Sequence, residues 1–113
     1  MSKSKKLFCI IEEDTVRSFF EKVLKKAGWE VYSLGSVYDA SFRIPEFGPD
    51  IIILDTGIVA PQRDEIGSWE VGNAVILGLG FVAERESWGE EIDGFLEKPL
   101  DPSNLVDKIL ELV

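Results

Sequence analysis

The sequence predicts an α/β protein, a three-layer αβα sandwich around a five-stranded parallel sheet, in one domain spanning residues 1–113. Three observations carry this. The short runs Leu7–Ile11, Ile51–Leu54 and Ala74–Leu79 are apolar without alternation, as strands buried on both faces are. Helical or polar segments separate them, and strands alternating with helices imply parallel pairing with helices on both sheet faces. Right-handed crossovers then dictate a doubly wound arrangement.

Each element has its own grounds. After Leu7–Ile11 come Glu12, Glu13 and Asp14, and then Val16, Phe19, Phe20, Val23, Leu24 and Ala27 at helical spacing. Residues 15–27 therefore read as an amphipathic helix, with Asp14 as its N-cap and Gly28 at its end after two lysines. Glu30–Leu34 alternates weakly, as a second strand would. Residues 36–44 form a short helix that Pro45 and Pro49 are expected to stop. Ile51–Leu54 ends in Asp55. The stretch 56–72 contains Gly57, Pro61, Gly67 and Gly72 and reads as a loop with at most one or two helical turns. Ala74–Leu79 is the fourth strand, 81–91 a short acidic helix, and Gly94–Leu96 opens a fifth strand that runs to Lys98-Pro99. Asp101 as N-cap and Pro102 at the first helical position start a last helix, with Leu105, Ile109, Leu110 and Leu112 expected inward.

Composition excludes several functions. With 113 residues, 45% of them hydrophobic and 29% charged, the chain suits one globular domain. Its 12 basic and 21 acidic residues give a charge of −9, which disfavours nucleic acid as a partner. The basic opening Lys3, Lys5, Lys6 is too short to change that. The longest apolar run, Ala74–Ala83, falls well short of the roughly 20 residues that span a bilayer, and Leu7–Ile11 is too short for a signal peptide. A cytoplasmic protein that does not bind membranes is the simplest expectation. There is one cysteine, Cys9, and no histidine, so Cys/His metal sites and His-dependent catalytic triads are excluded. Cys9, in mid-strand, reads as a small buried hydrophobe.

In open α/β sheets the site lies at the carboxyl ends of the strands. Three such ends carry chemistry: Glu12-Glu13-Asp14, Asp55 and Lys98. Clustered acids need a cation to stay ionised together, and oxygen ligands alone suit Mg²⁺. Lysine supplies a point charge for a phosphoryl oxygen, and a central carboxylate can act as the nucleophile that forms an acyl phosphate. Acids after strands also serve simply to cap helices, and the two readings stand side by side on spacing alone.

At these residues the chain resembles the receiver domains of two-component response regulators. Strand, acidic turn, helix ending at Gly28 and then Asp50-Ile-Ile-Ile-Leu-Asp55 follow the family pattern without a gap. Gly94-Phe-Leu-Glu-Lys98-Pro99-Leu-Asp-Pro matches its Lys-Pro turn and following helix. The resemblance implies a flavodoxin-like topology, here with shortened third and fourth helices, and a phosphorylation switch in a phosphorelay. Asp55 falls on the phosphoacceptor, Lys98 on the lysine that pairs with the phosphoryl group, and Pro99 on a turn proline that is often cis. Glu12, Glu13, Asp55 and the Gly57 carbonyl are the implied Mg²⁺ ligands, and Phe95 falls on the aromatic that changes rotamer. The implied partners are a sensor histidine kinase or phosphotransfer protein and a downstream protein, with pairing to a second copy of the chain left open. The implied role is a phosphoacceptor signalling domain and not an enzyme.

The departures are specific. The ungapped register puts Ile11 and Glu12 where the family has two acids, while a one-residue shift would use Glu12 and Glu13. Ile76-Leu77-Gly78-Leu79-Gly80 lacks the hydroxyl that ends the family's fourth strand and draws the aromatic inward. A phosphorylation-independent pseudo-receiver, acting as an interaction module, is therefore the alternative. The run Glu84, Glu86, Glu90, Glu91, Asp93 reads as a solvated face, or as a docking surface anchored by a partly exposed Trp88. Two rivals are weaker. Asp55-Thr56-Gly57 spells the aspartic protease triplet, but those enzymes are nearly all-β. A flavin carrier walled by Trp29, Trp69 and Trp88 would need a phosphate loop where this chain has three acids.

Overall fold

The computed structural model describes residues 5–55, 67–87 and 92–113. Five parallel strands, β1 (Lys6–Ile10), β2 (Glu30–Leu34), β3 (Ile51–Asp55), β4 (Val75–Gly80) and β5 (Gly94–Glu97), form one sheet in the order β2-β1-β3-β4-β5. Three α-helices are described: α1 (Asp14–Lys26), α2 (Ala40–Phe47) and α3 (Leu105–Leu112). Single 3-10 segments cover Val82–Ser87 and Pro102–Asn104.

The unbroken apolar runs follow from the layering. Successive strand residues point to opposite faces, and each face has its own core. Leu7, Cys9, Ile51, Ile53, Leu77, Leu79 and Leu96 pack against Phe20 and Leu24 of α1 and Leu105 and Ile109 of α3. Phe8, Ile10, Ile52, Leu54 and Phe95 pack against Val37, Ala40, Ile44 and Trp69 on the other side. Neither face is left to water, so neither set of positions is polar. The strand order reverses between β1 and β3, and the crevice beyond their carboxyl ends is where this class of sheet holds its ligands.

Four expectations are corrected. Pro45 does not stop α2 but lies inside it. Burial of Ala40 and Ile44 against the sheet outweighs the backbone bond that proline cannot make. The stop is Gly48, at φ +65°, whose N–H reaches Ile44 O at 2.9 Å. Asp14 is not the cap of α1: Glu13 occupies that position without a side-chain cap, and Asp14 is the first helical residue, where its charge suits the helix dipole. Leu110 faces solvent, 45% exposed, because Leu105 and Ile109 already define the inward line at i, i+4. The acidic segment after β4 is a 3-10 helix over Val82–Ser87 rather than an α-helix, with 88–91 outside the described residues.

Asp101 does cap the next turn, its carboxylate accepting from Ser103 N at 2.9 Å. Two members of the acidic run have structural duties: Glu84 accepts from Phe81 N, and Asp93 accepts from Ile76 N at the start of β5. Trp29 packs on one core and Trp69 lies in the other, on opposite faces of the sheet, so they cannot flank one flavin. The helical layers also dismiss the protease reading. Trp88 and most of the 56–72 loop lie outside the described residues.

Candidate functional site

The site grows from what each strand end leaves behind. At β1 the chain stays buried through Ile11, whose N–H reaches Leu34 O at 2.9 Å, and then emerges with exposed Glu12 and Glu13. One helical turn on, Arg17 folds back over this turn. Its guanidinium donates to Ile11 O at 2.7 Å and Glu12 O at 3.1 Å, and pairs with the Asp14 carboxylate. It also lies against the loop after β2, where a Cβ on Gly35 would come within 3.0 Å of it. The acidic turn thus has a resident cation supplied by its own helix. Sequence reasoning missed Arg17, although an arginine three residues after Asp14 is the available signal.

At β3, Asp55 is the one buried charged residue among those described, 8% exposed. It continues the face set by Ile51 and Ile53 and lies opposite Leu79 in the register. Lys98, just past β5, brings its Nζ to 3.8 Å from Asp55 Oδ1. A backbone bond places this lysine: its N–H donates to Gly80 O at 2.8 Å. The Lys98–Pro99 peptide is cis. The ammonium also stands over the Phe81 ring, 5.8 Å from its centroid. A cleft of about 420 Å³ opens beside it, lined by Val16, Phe19, Phe81 and Pro99 among others.

Phe95 is inward and 8% exposed. Its ring rests on Gly78, the residue opposite it in β4, where a Cβ would sit 3.0 Å from Phe95 Cδ1. Gly80, without a side chain, ends β4. Cys9 is inert at neutral pH: burial first, and then the charge of Glu21, push its thiol up to about 12.

The structure therefore brings Asp55 and Lys98 together. The metal assignment gains less. Glu12 and Glu13 are exposed, and no group of three or more His, Cys, Asp or Glu among the described residues is placed to hold an ion. The Gly57 carbonyl assigned to that ion lies outside the described residues. The described side chains alone do not make the site.

No family model matches the sequence, and no curated protein is significantly similar to it. Solved structures are. A response-regulator signal receiver domain from Bermanella marisrubri superposes with a TM-score of 0.80 at 26% identity, over 97% of this chain and 98% of that one. The chain folds as a response-regulator receiver domain. Two further likenesses bear on the receiver fold alone. The chemotaxis response regulator CheY4 of Vibrio cholerae matches at TM-score 0.81 and 19% identity, over 98% of this chain and all of that one (100%). The receiver domain of sensor histidine kinase PA1611 from Pseudomonas aeruginosa, described with a magnesium ion coordinated in its active-site cleft, matches at TM-score 0.80 and 18% identity, over 97% and 98% of the two chains. No helix among the described residues of this chain is long and apolar enough to cross a membrane.

Proposed function

We propose that this receiver domain accepts a phosphoryl group at Asp55 from a phosphohistidine of a sensor histidine kinase or phosphotransfer protein in the cytoplasm. The observation that carries the reading is the buried carboxylate at the end of β3 with a lysine ammonium 3.8 Å away. In the transfer, a carboxylate oxygen of Asp55 attacks phosphorus, a P–O bond forms, and the donor's P–N bond breaks with its electron pair returning to the imidazole. Lys98 stands where it can offset charge on the incoming phosphoryl oxygens. Asp55 is the nucleophile, and the product is an acyl phosphate on this chain.

The test is intact mass after incubation with acetyl phosphate and Mg²⁺, beside an Asp55→Asn control. A gain of one phosphoryl group in the wild type alone is expected. The magnesium described in the Pseudomonas receiver motivates the ion's inclusion, and a parallel reaction in chelator shows whether it is required. No gain under either condition overturns the reading.

A second reading, a phosphorylation-independent interaction module, is favoured by two observations: the glycine that ends β4 and the lack of a converged carboxylate group among the described residues. Unchanged mass together with no Mg²⁺ binding by calorimetry would select it.

A further inference from the structure

Two aromatic side chains flank the site, and they are held in different ways. Phe95 is buried against Gly78. Phe81 is 58% exposed, yet its backbone is fixed on both sides: its N–H donates to Glu84 Oε1 at 2.7 Å, and its carbonyl accepts from Glu84 N at 2.8 Å. Its ring is thus presented to solvent from an anchored position, with the Lys98 ammonium over its face. A cation within about 6 Å of a ring centroid is attracted by the ring's electron-rich face. Lys98 therefore answers to two attractors, the Asp55 carboxylate at 3.8 Å and the Phe81 ring at 5.8 Å.

We propose that Phe81 is a positioning residue for Lys98, and that the Lys98–Phe81 pair transmits the charge at Asp55 to the protein surface. The balance between the attractors is electrostatic. Neutralising Asp55 removes the stronger one and lets the ammonium settle on the ring. A phosphoryl group at Asp55 replaces the single carboxylate charge with roughly two negative charges spread over the phosphoryl oxygens, and draws the ammonium off the ring. Phe81 then loses the contact that orients it and is released toward Val82, its exposed apolar neighbour. Phe95, on the other side, is lodged against Gly78. The phosphorylated arm of this proposal rests on Asp55 being the acceptor, whereas the neutralised arm does not.

The experiment places 4-fluorophenylalanine at position 81 of the full chain and follows its ¹⁹F resonance. Asp55→Asn is expected to shift the resonance one way, and acetyl phosphate with Mg²⁺ to shift it the other way. Lys98→Met should abolish both shifts. Lys98→Arg, which keeps a cation, should retain them and covers the case in which Lys98→Met fails to fold. A resonance indifferent to Asp55→Asn, or shifts that survive in folded Lys98→Met, would overturn the proposal. Intact mass measured on the same samples separates the two ideas. A mass gain with an unmoved resonance sinks the Phe81 link and leaves Asp55 as acceptor. No mass gain, with the Asp55→Asn shift present and lost in Lys98→Met, supports the link and removes the acceptor reading.

Discussion

The two halves of the sheet's carboxyl end hold their charges in opposite ways. At β1, the guanidinium of Arg17 satisfies the carbonyls of Ile11 and Glu12 and the Asp14 carboxylate, at hydrogen-bond range. At β3 and β5, Asp55 and Lys98 stand 3.8 Å apart, beyond hydrogen-bond range, beside an open cleft. One half is stitched shut and the other leaves room between opposite charges. The first arrangement serves the fold. The second keeps an ammonium and a carboxylate at ion-pair distance beside that cleft, where an incoming anion would meet the ammonium.

The largest expected break in this contrast comes from Arg17→Ala, which strips two backbone carbonyls of a charged donor. Hydrogen bonds to charged groups contribute about 1.5–3 kcal/mol each, and partial exposure places the loss in urea denaturation at the low end, about 2 kcal/mol. If Arg17→Ala proves no more costly than an ordinary surface change, the stitched half is an illusion of geometry.

Gly35→Ala should cost about 1 kcal/mol, because its Cβ meets a guanidinium held at three points. In an Arg17→Ala background the same change should be nearly harmless. A double-mutant cycle reads the difference directly, and strict additivity would place the strain elsewhere.

Lys98→Met is expected to change stability by less than about 1 kcal/mol, because the ammonium stands 3.8 Å from the buried Asp55 carboxylate without a hydrogen bond to it, while slowing phosphoryl acceptance at Asp55. Loss of both stability and acceptance would mean that the open half is as structural as the closed one.

The smallest effect concerns the α1–β2 contact beside the stitched turn. The Ser33 hydroxyl donates to Glu21 Oε2 at 2.7 Å and, with Lys25, holds the Glu21 carboxyl below its usual range against a smaller opposing effect of burial. A carboxyl lowered in the folded state stabilises above its unfolded pKa, and that contribution fades as pH falls through the folded value. Ser33→Ala should raise the Glu21 pKa in a carboxyl ¹³C titration.

Most of the frame was legible along the chain. Ile51–Leu54 and Leu7–Ile11 read as buried strands because both faces of the sheet are covered, and a polar residue on either face would have had no partner. Glu30–Leu34 alternated only weakly, whereas the Gly28 terminus of the first helix was plain, since Gly28 takes φ +90°, a conformation that other residues adopt at a cost. Asp55 and Lys98 were legible for a related reason: both stand at the end of an apolar strand, where a charge is conspicuous.

What only the tertiary structure decided depends on contacts between distant segments. Pro45 is tolerated inside α2 because Ala40 and Ile44 are buried by the sheet, which local propensity cannot report. Arg17 became part of the site through carbonyls five and six residues earlier and a glycine on another loop. Gly78 and Phe95 had no visible relation until the β4–β5 register set one on the other. Phe81 looked like an ordinary apolar residue until folding put a lysine from the next strand's end over its ring. The sequence by itself determined which residues seek burial and which strand ends carry charge, because hydrophobic periodicity is local. Which charges meet, and at what distance, was left to the packing of segments some forty residues apart.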